Sequence, residues 1–324
     1  MAEYRLAPDR NTLHGSFSKE FAPVLTIRSG DTVNYTTLDA GWGSPSPADG
    51  KRIKPYERRK GLDAGHALCG PIYIEGAKKG MTLEIRMNEI VPGPFGFTAA
   101  GKYPNWQNQR LGLTEVEELI LSWELDRQTM MGKTKIAGKS YSVGLHPFMG
   151  VLGMPPDEPG VHRTFPPRFC GGNIDCKELI RGSTLFLPIS VDGALFSVGD
   201  GHAAQGDGEI SCQAIECPME EVSLTFVLHA DLHLTMPRAY TPAGWITFGF
   251  HEDLNEATVQ AMDGMLDLMG ELYGLNRVQS IAIGSSVVDL RITQVVNGVK
   301  GVHAVLSHGA IIAETSESEG VSPC

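Results

Sequence analysis

One stretch of this chain, Leu254 to Tyr273, keeps a helical repeat. Its other apolar segments alternate with a period of two and soon end at glycine or proline. In the helical stretch Leu254, Thr258, Ala261, Met265, Met269 and Leu272 fall on one stripe. Asp253 caps its start, Glu256 follows three residues on as in a capping box, and Gly274 stops it. Period-two alternation sends successive side chains to opposite faces, which suits a half-buried strand. A chain built this way folds as a mainly β body, and 38 glycines with 20 prolines among 324 residues supply the tight turns it needs.

The strands can be placed. Leu25 and Ile27, the turn Ser29-Gly30-Asp31, then Val33 and Tyr35 read as strand, turn, strand. Leu83, Ile85 and Met87 oppose Glu84, Arg86 and Asn88, as expected of a sheet with one wet face. Glu115 to Leu121 admits a helix, and Trp123 and Leu125 begin a strand. Pro147 to Gly172 reads as mostly loop, as do Gly41 to Gly50 and the basic run Lys51 to Lys60. Further strands hold Leu185, Leu187 and Ile189, then Leu195 to Val198, then Leu224, Phe226 and Leu228. Val287–Val296 and Val302–Ile312 form a closing hairpin. Gly284-Ser285-Ser286 reads as a tight turn, and the last eleven residues as frayed. The expected division is a mainly-β body over 1–240 and a small C-terminal α+β piece over 241–324 containing the one clear helix.

Charge excludes some partners. With 27 Lys and Arg against 38 Asp and Glu, the formal charge of −11 argues against nucleic acid and anionic lipid. No apolar run approaches the ~20 residues of a membrane span, and the opening MAEYRLAPDRNT has no leader-like apolar core. None of the six cysteines lies in a CxxC pair, so reduced thiols and a cytoplasmic location are expected.

Chemistry-bearing residues concentrate in four glycine-rich segments: Thr37–Trp42, Gly65–Gly76, Cys170–Asp175 and Val198–Glu209. In the last, Asp200 and His202 stand two apart and so share a face of an extended chain. Asp207 and Glu209 repeat the spacing. Oxygen and imidazole donors together suit a hard or borderline cation. The competing reading is a glycine-rich turn whose Asp side chains bond backbone N–H groups. Glu75 near His66 suits a general acid–base, or else a surface pair with Lys78 or Lys79. Asp39 suits a ligand or a turn cap. There is no GxSxG elbow, no phosphate-cradling GxxxxGK[ST] and no dinucleotide GxGxxG.

At these segments the chain resembles the acetamidase/formamidase family. The resemblance is carried by His14-Gly15 with PVLTIRSGDTVNYTTLDAGWG, by GHALCGPIYIEGAKKGMTLEIRMNEIVPG and HPFMGVLGM, and by GGNIDCKELIRGSTLFLPI, FSVGDGHAAQGDGEISCQAIE and VVDLRITQVVNG. It implies hydrolysis of the C–N bond of small aliphatic amides to carboxylate and ammonia. It also implies a jelly-roll-like β-sandwich with a barrel-like part, and a homodimer or larger homo-oligomer. Family members look metal-binding, which implies a divalent metal ion, zinc or calcium. The matching positions able to ligate are Asp39, His66, Asp175, Asp200 and His202.

Amide hydrolysis needs an activated nucleophile, a polarised carbonyl and a proton for the departing nitrogen. The first expectation places the metal at Asp39, His66, Asp200 and His202. Glu75 and Asp175 are then catalytic, and Asn173, Gln205 and the backbone at Gly70 bind the amide. A second keeps the reaction without metal, through a carboxylate or a thiol nucleophile, Cys69 or Cys170. A third is a non-catalytic binder of small ligands.

Overall fold

The computed structural model describes residues 1–46, 49 and 51–313. The frayed tail expected over 314–324, Cys324 included, and residues 47, 48 and 50 of the glycine-rich loop lie outside the described residues. The fold is mainly β. Its largest sheet has nine strands in the order Glu3–Leu6, Thr32–Thr37, Met219–His229, Thr82–Pro92, Thr184–Pro188, Arg238–Thr241, Gly244–His251, Lys300–Ser307 and Val288–Gln294. A second sheet orders Gly171–Asn173, Phe148–Gly153, Phe196–His202, Leu68–Ile74 and Leu13–His14, with Leu25–Ile27 pairing in parallel to Leu68–Ile74. A third, Lys139–Gly144, Met131–Ile136, Leu119–Asp126 and Phe95–Ala100, stands beside them. None of these sheets closes on itself among the described residues.

The first two sheets share one core. Phe196 of the second meets Phe226 of the first edge to face, with ring centroids 5.1 Å apart. This is the contact of two sheets stacked through apolar inner faces. The turn Ser29-Gly30-Asp31 forms as expected, yet its flanking strands do not pair with each other. Leu25–Ile27 joins the second sheet and Thr32–Thr37 the first, so one turn crosses between layers.

The helix Leu254–Tyr273 forms over the residues its periodicity gives. Asp253 accepts from the N–H groups of Asn255 and Glu256, and Gly274 closes the helix in the left-handed conformation at φ 69°. It lies on the nine-stranded sheet through Ala257, Ala261, Met265, Leu268 and Met269. Close approach explains the small residues: a Cβ on Gly249 would stand 1.9 Å from the Ala257 carbonyl oxygen.

Three local readings change. Gly284-Ser285-Ser286 is not a turn but lies in a second helix, Arg277–Val287, which Asn276 and Gln279 start with a reciprocal capping box. Leu119–Asp126 is strand from its first residue, and the local helix is Trp106–Leu111. Within the segment read as loop, Phe148–Gly153 is a fully buried strand. Its glycines are there for proximity, since a Cβ on Gly153 would stand 2.2 Å from the Gly172 nitrogen.

Candidate functional site

Strand Phe196–His202 is buried along its whole length and ends in the pair expected from spacing. Asp200 and His202 face each other with Oδ1 and Nε2 3.3 Å apart. Two further elements complete a cluster. The turn after Gly171–Asn173 brings in Asp175, and the loop from Gly206 back to the body brings in Glu209 and Glu216. His202 Nε2 lies 3.4 Å from Glu216 Oε2. The Phe148 ring packs edge-on against the imidazole at 5.0 Å. Asp175, Asp200 and Glu209 all take the left-handed backbone, at φ 54°, 62° and 48°. Non-glycine residues seldom adopt it, and strain of this kind gathers at functional sites.

Asp175 is held from one side. Asn173 and Asn297 both donate to its Oδ2, each at 2.7 Å, and Gln205 donates to its backbone carbonyl at 2.8 Å. Its Oδ1 has no hydrogen-bond partner, and neither do Asn173 Oδ1, Gln205 Oε1, Glu209 Oε2, His202 Nδ1 or Glu216 Oε2, the last facing His202 Nε2 at ion-pair distance, all buried. Five of these six atoms are oxygen acceptors. A cavity of about 1780 Å³ reaches the cluster at Asn173, Asp200, Glu209 and Glu216 and passes His66, Arg58, Arg163 and Asn297.

Electrostatics follow from burial. Desolvation pushes the Asp175 carboxyl up to about 8, His202 working against the rise and Asp200 with it. Burial likewise lifts Glu209 well above the carboxylate range, helped by Asp175, and raises Glu216. Burial alone would lower His202, but the carboxylates of Glu216 and Asp200 prevail and hold its imidazole well above its ordinary value. Asp200 moves the other way, His66 and His202 outweighing its desolvation. His66 is lowered by burial.

Four carboxyl groups sharing a buried space cannot all ionise without protons or cations to offset them. The donor set fits a hard divalent ion. Asp175, Asp200 and His202 offer ligand atoms within 4.8 Å of one another, and so do His202, Glu209 and Glu216. Room is reserved at the same place. A Cβ on Gly150 would fall 2.4 Å from Asp200 Oδ2 and 2.7 Å from Asp175 Oδ1.

The expected residues divide. Asp175, Asp200, His202 and Asn173 come together, with Gln205 behind Asp175. His66 lines the cavity, with Nδ1 engaged by the Thr164 hydroxyl at 2.9 Å. Asp39 stands apart: Arg52 binds both its oxygens and the Gly43 N–H donates to Oδ1. The basic run holding Arg52 is therefore partly structural, not a simple solvated loop. Glu75 lies at the surface paired with Arg28, and Asp207 pairs with Lys177. Gly70 lies within strand Leu68–Ile74, where a Cβ would meet Ser197 Oγ at 2.6 Å, and does not line the cavity. Cys69 and Cys170 are buried off the cavity, and burial pushes their thiols up to about 12 and about 11. Glu216 escaped the sequence reading. Its signal is an acid in the buried run Ala214-Ile215-Glu216-Cys217.

The model of the Acetamidase/Formamidase family matches residues 158–307, the span holding Asp175, Asp200, His202, Glu209 and Glu216. This part of the chain is similar to the acetamidase/formamidase family. An acetamidase of Mycolicibacterium smegmatis is 58% identical over 55 residues, 17% of this chain and 14% of that protein. A Schizosaccharomyces pombe protein provisionally named a formamidase is 27% identical over 263 residues, 64% of this chain and 62% of that one. The chain thus spans less than two thirds of the length of these relatives. The crystal structure of an acetamidase from Bacillus halodurans superposes with a TM-score of 0.76 at 27% identity, covering 94% of this chain and 97% of that one. No helix among the described residues is long and apolar enough to cross a membrane.

Proposed function

We propose that this chain is a member of the acetamidase/formamidase family and hydrolyses the C–N bond of small aliphatic amides, formamide or acetamide among them, to a carboxylate and ammonia. The observation that carries the reading is the buried cluster of Asp175, Asp200, His202, Glu209 and Glu216 with its surplus of unpartnered acceptors at a cavity. The relatives' names support the substrate class.

Asn173 and Asn297 fix Asp175 by one oxygen and leave the other free. The unpartnered oxygen of Asn173, which lines the cavity, accepts an N–H group of the amide, and Gln205 holds the Asp175 backbone from behind. Glu209, whose carboxyl burial lifts well above the usual carboxylate range and whose Oε2 has no hydrogen-bond partner, is the group to protonate the departing nitrogen, which leaves only when protonated. A divalent ion held by Asp175, Asp200 and His202 would polarise the carbonyl and make a bound water acidic enough to attack, leaving Glu209 for the proton. The same reading takes zinc or calcium as that ion. It takes a cytoplasmic homodimer or larger assembly, for which Val278, Ile281, Leu290 and Ile292 are exposed apolar side chains.

The test is ammonia release over a panel of short amides, with elemental analysis of the purified protein. Turnover that falls at least ~10²-fold in Asp200→Asn supports the reading. Absence of turnover on every short amide by metal-replete protein overturns it.

A further inference from the structure

Behind the candidate site lies a second group of metal-ligating side chains that amide hydrolysis does not use. Cys176 and Glu178 follow directly on Asp175, and His303 lies on Lys300–Ser307 of the nine-stranded sheet. All three are buried, and their ligand atoms fall within 4.8 Å of one another.

We propose that Cys176, Glu178 and His303 bind a divalent ion of the zinc class, which ties the loop carrying Asp175 to the C-terminal strands. Distances come first. Cys176 Sγ stands 3.3 Å from Glu178 Oε2, and His303 Nε2 stands 3.4 Å from the same oxygen. A tetrahedral zinc with bonds of ~2.3 Å to sulfur and ~2.0–2.1 Å to nitrogen and oxygen sets those separations at about 3.5 and about 3.3 Å. Two of the three ligand edges therefore already have the length such an ion imposes.

The surrounding hydrogen bonds agree. His303 Nδ1 is engaged by the Thr293 hydroxyl at 2.8 Å, and Nε2 is fully buried with no hydrogen-bond partner. An outer partner on one ring nitrogen, with the other making no hydrogen bond and facing the Glu178 carboxylate, is the arrangement of a ligating histidine. Glu178 repeats it: Arg291 takes Oε1 at 2.8 Å, leaving Oε2 to the cluster. The thiolate sets the class, because sulfur favours zinc and similar borderline ions over calcium or magnesium. On binding, the Cys176 S–H bond breaks, its electron pair goes to the metal and its proton to solvent. Three protein ligands leave the fourth position to water.

The competing occupant is a proton on His303 that pairs it with Glu178. Zinc X-ray absorption on the purified full chain separates the two. The expected spectrum contains a sulfur scatterer at ~2.3 Å, which neither ligand group of the candidate active site can supply. Cobalt titration of chelator-treated protein is expected to give a thiolate-to-cobalt charge-transfer band. Cys176→Ser should lose that band and weaken binding at this site at least ~10-fold. Bound zinc with no sulfur neighbour, no charge-transfer band in the wild type, or a band that survives in a folded Cys176→Ser variant would each overturn the site. The absorption measurement needs no variant, so the proposal stays testable if Cys176→Ser does not fold. It also stands apart from the amidase reading, because neither readout depends on turnover.

Discussion

The Cβ that Gly150 lacks would fall 2.4 Å from Asp200 Oδ2. The glycine therefore makes room for the acid, and it serves Asp175 Oδ1 and His202 Cε1 in the same way, at 2.7 and 2.9 Å. Gly150→Ala is expected to keep the β fold, at a cost of ~1–3 kcal/mol for overpacking. Because the displaced atoms are the proposed catalytic ones, turnover of acetamide should fall at least ~10²-fold. Circular dichroism and ammonia release check the two parts. Full activity in the alanine variant would mean that the cluster is not where the chemistry occurs.

Glu209 and Glu75 make a contrast. Glu209 is buried with a free oxygen, whereas Glu75 pairs with Arg28 and its side chain is 49% exposed. Glu209→Gln keeps shape and removes the transferable proton, so kcat should drop by ~10²–10⁴. Glu75→Gln should leave kcat within about twofold and stability within ~0.5 kcal/mol. Steady-state kinetics on both variants decide, and the reverse ranking would restore Glu75 as the acid–base.

Some of this site was legible in the sequence. Asp200 and His202 could be paired because period-two spacing on a strand is a local rule that needs no knowledge of the fold. Helix Leu254–Tyr273 was legible for the same kind of reason, its stripe, cap and stop all being local. Glu216 and the strand Phe148–Gly153 were not. Glu216 reaches His202 because its backbone bridges both His202 itself and Phe97 of another sheet, pairings that no local spacing reveals. The strand looked like loop because its glycines, which usually mark turns, here admit a neighbouring backbone and two carboxylates. Asp39 misled in the opposite way. A buried acid in a glycine-rich segment reads as a ligand until its cation, Arg52, is found thirteen residues on.

Asp39 can be tested directly. It is fully buried, and Arg52 Nη2 donates to Oδ1 at 2.8 Å while that guanidinium lies over the Phe97 ring. Removing one partner of such a pair leaves a charge without its counter-ion. Asp39→Ala is therefore expected to destabilise the protein by about 3 kcal/mol, read as a shift in the denaturant midpoint at unchanged slope. Metal content of the folded variant should equal the wild type's. Loss of bound metal would instead make Asp39 a ligand.

His14 gives the stability a pH dependence of definite sign. It is buried, with Nδ1 2.6 Å from the Ser16 carbonyl and Nε2 3.0 Å from the Ser197 hydroxyl. The neutral ring satisfies both, donating to the first and accepting from the second. Desolvation pushes its pKa down from 6.5 to about 4, the Ser16 hydrogen bond opposing only in part. Above 6.5 the ring is neutral folded and unfolded, so it adds no pH dependence. Between 6.5 and about 4 only the unfolded chain takes the proton, and stability falls on acidification. Below about 4 the folded state is protonated too and the slope from this group ends. At ~1.4 kcal/mol per pKa unit, going from about pH 7 to about pH 4.5 should cost the wild type ~2–3 kcal/mol more than it costs His14→Gln. Urea unfolding of both proteins at the two pH values measures the difference. An equal loss in the two would mean that His14 does not carry the acid sensitivity.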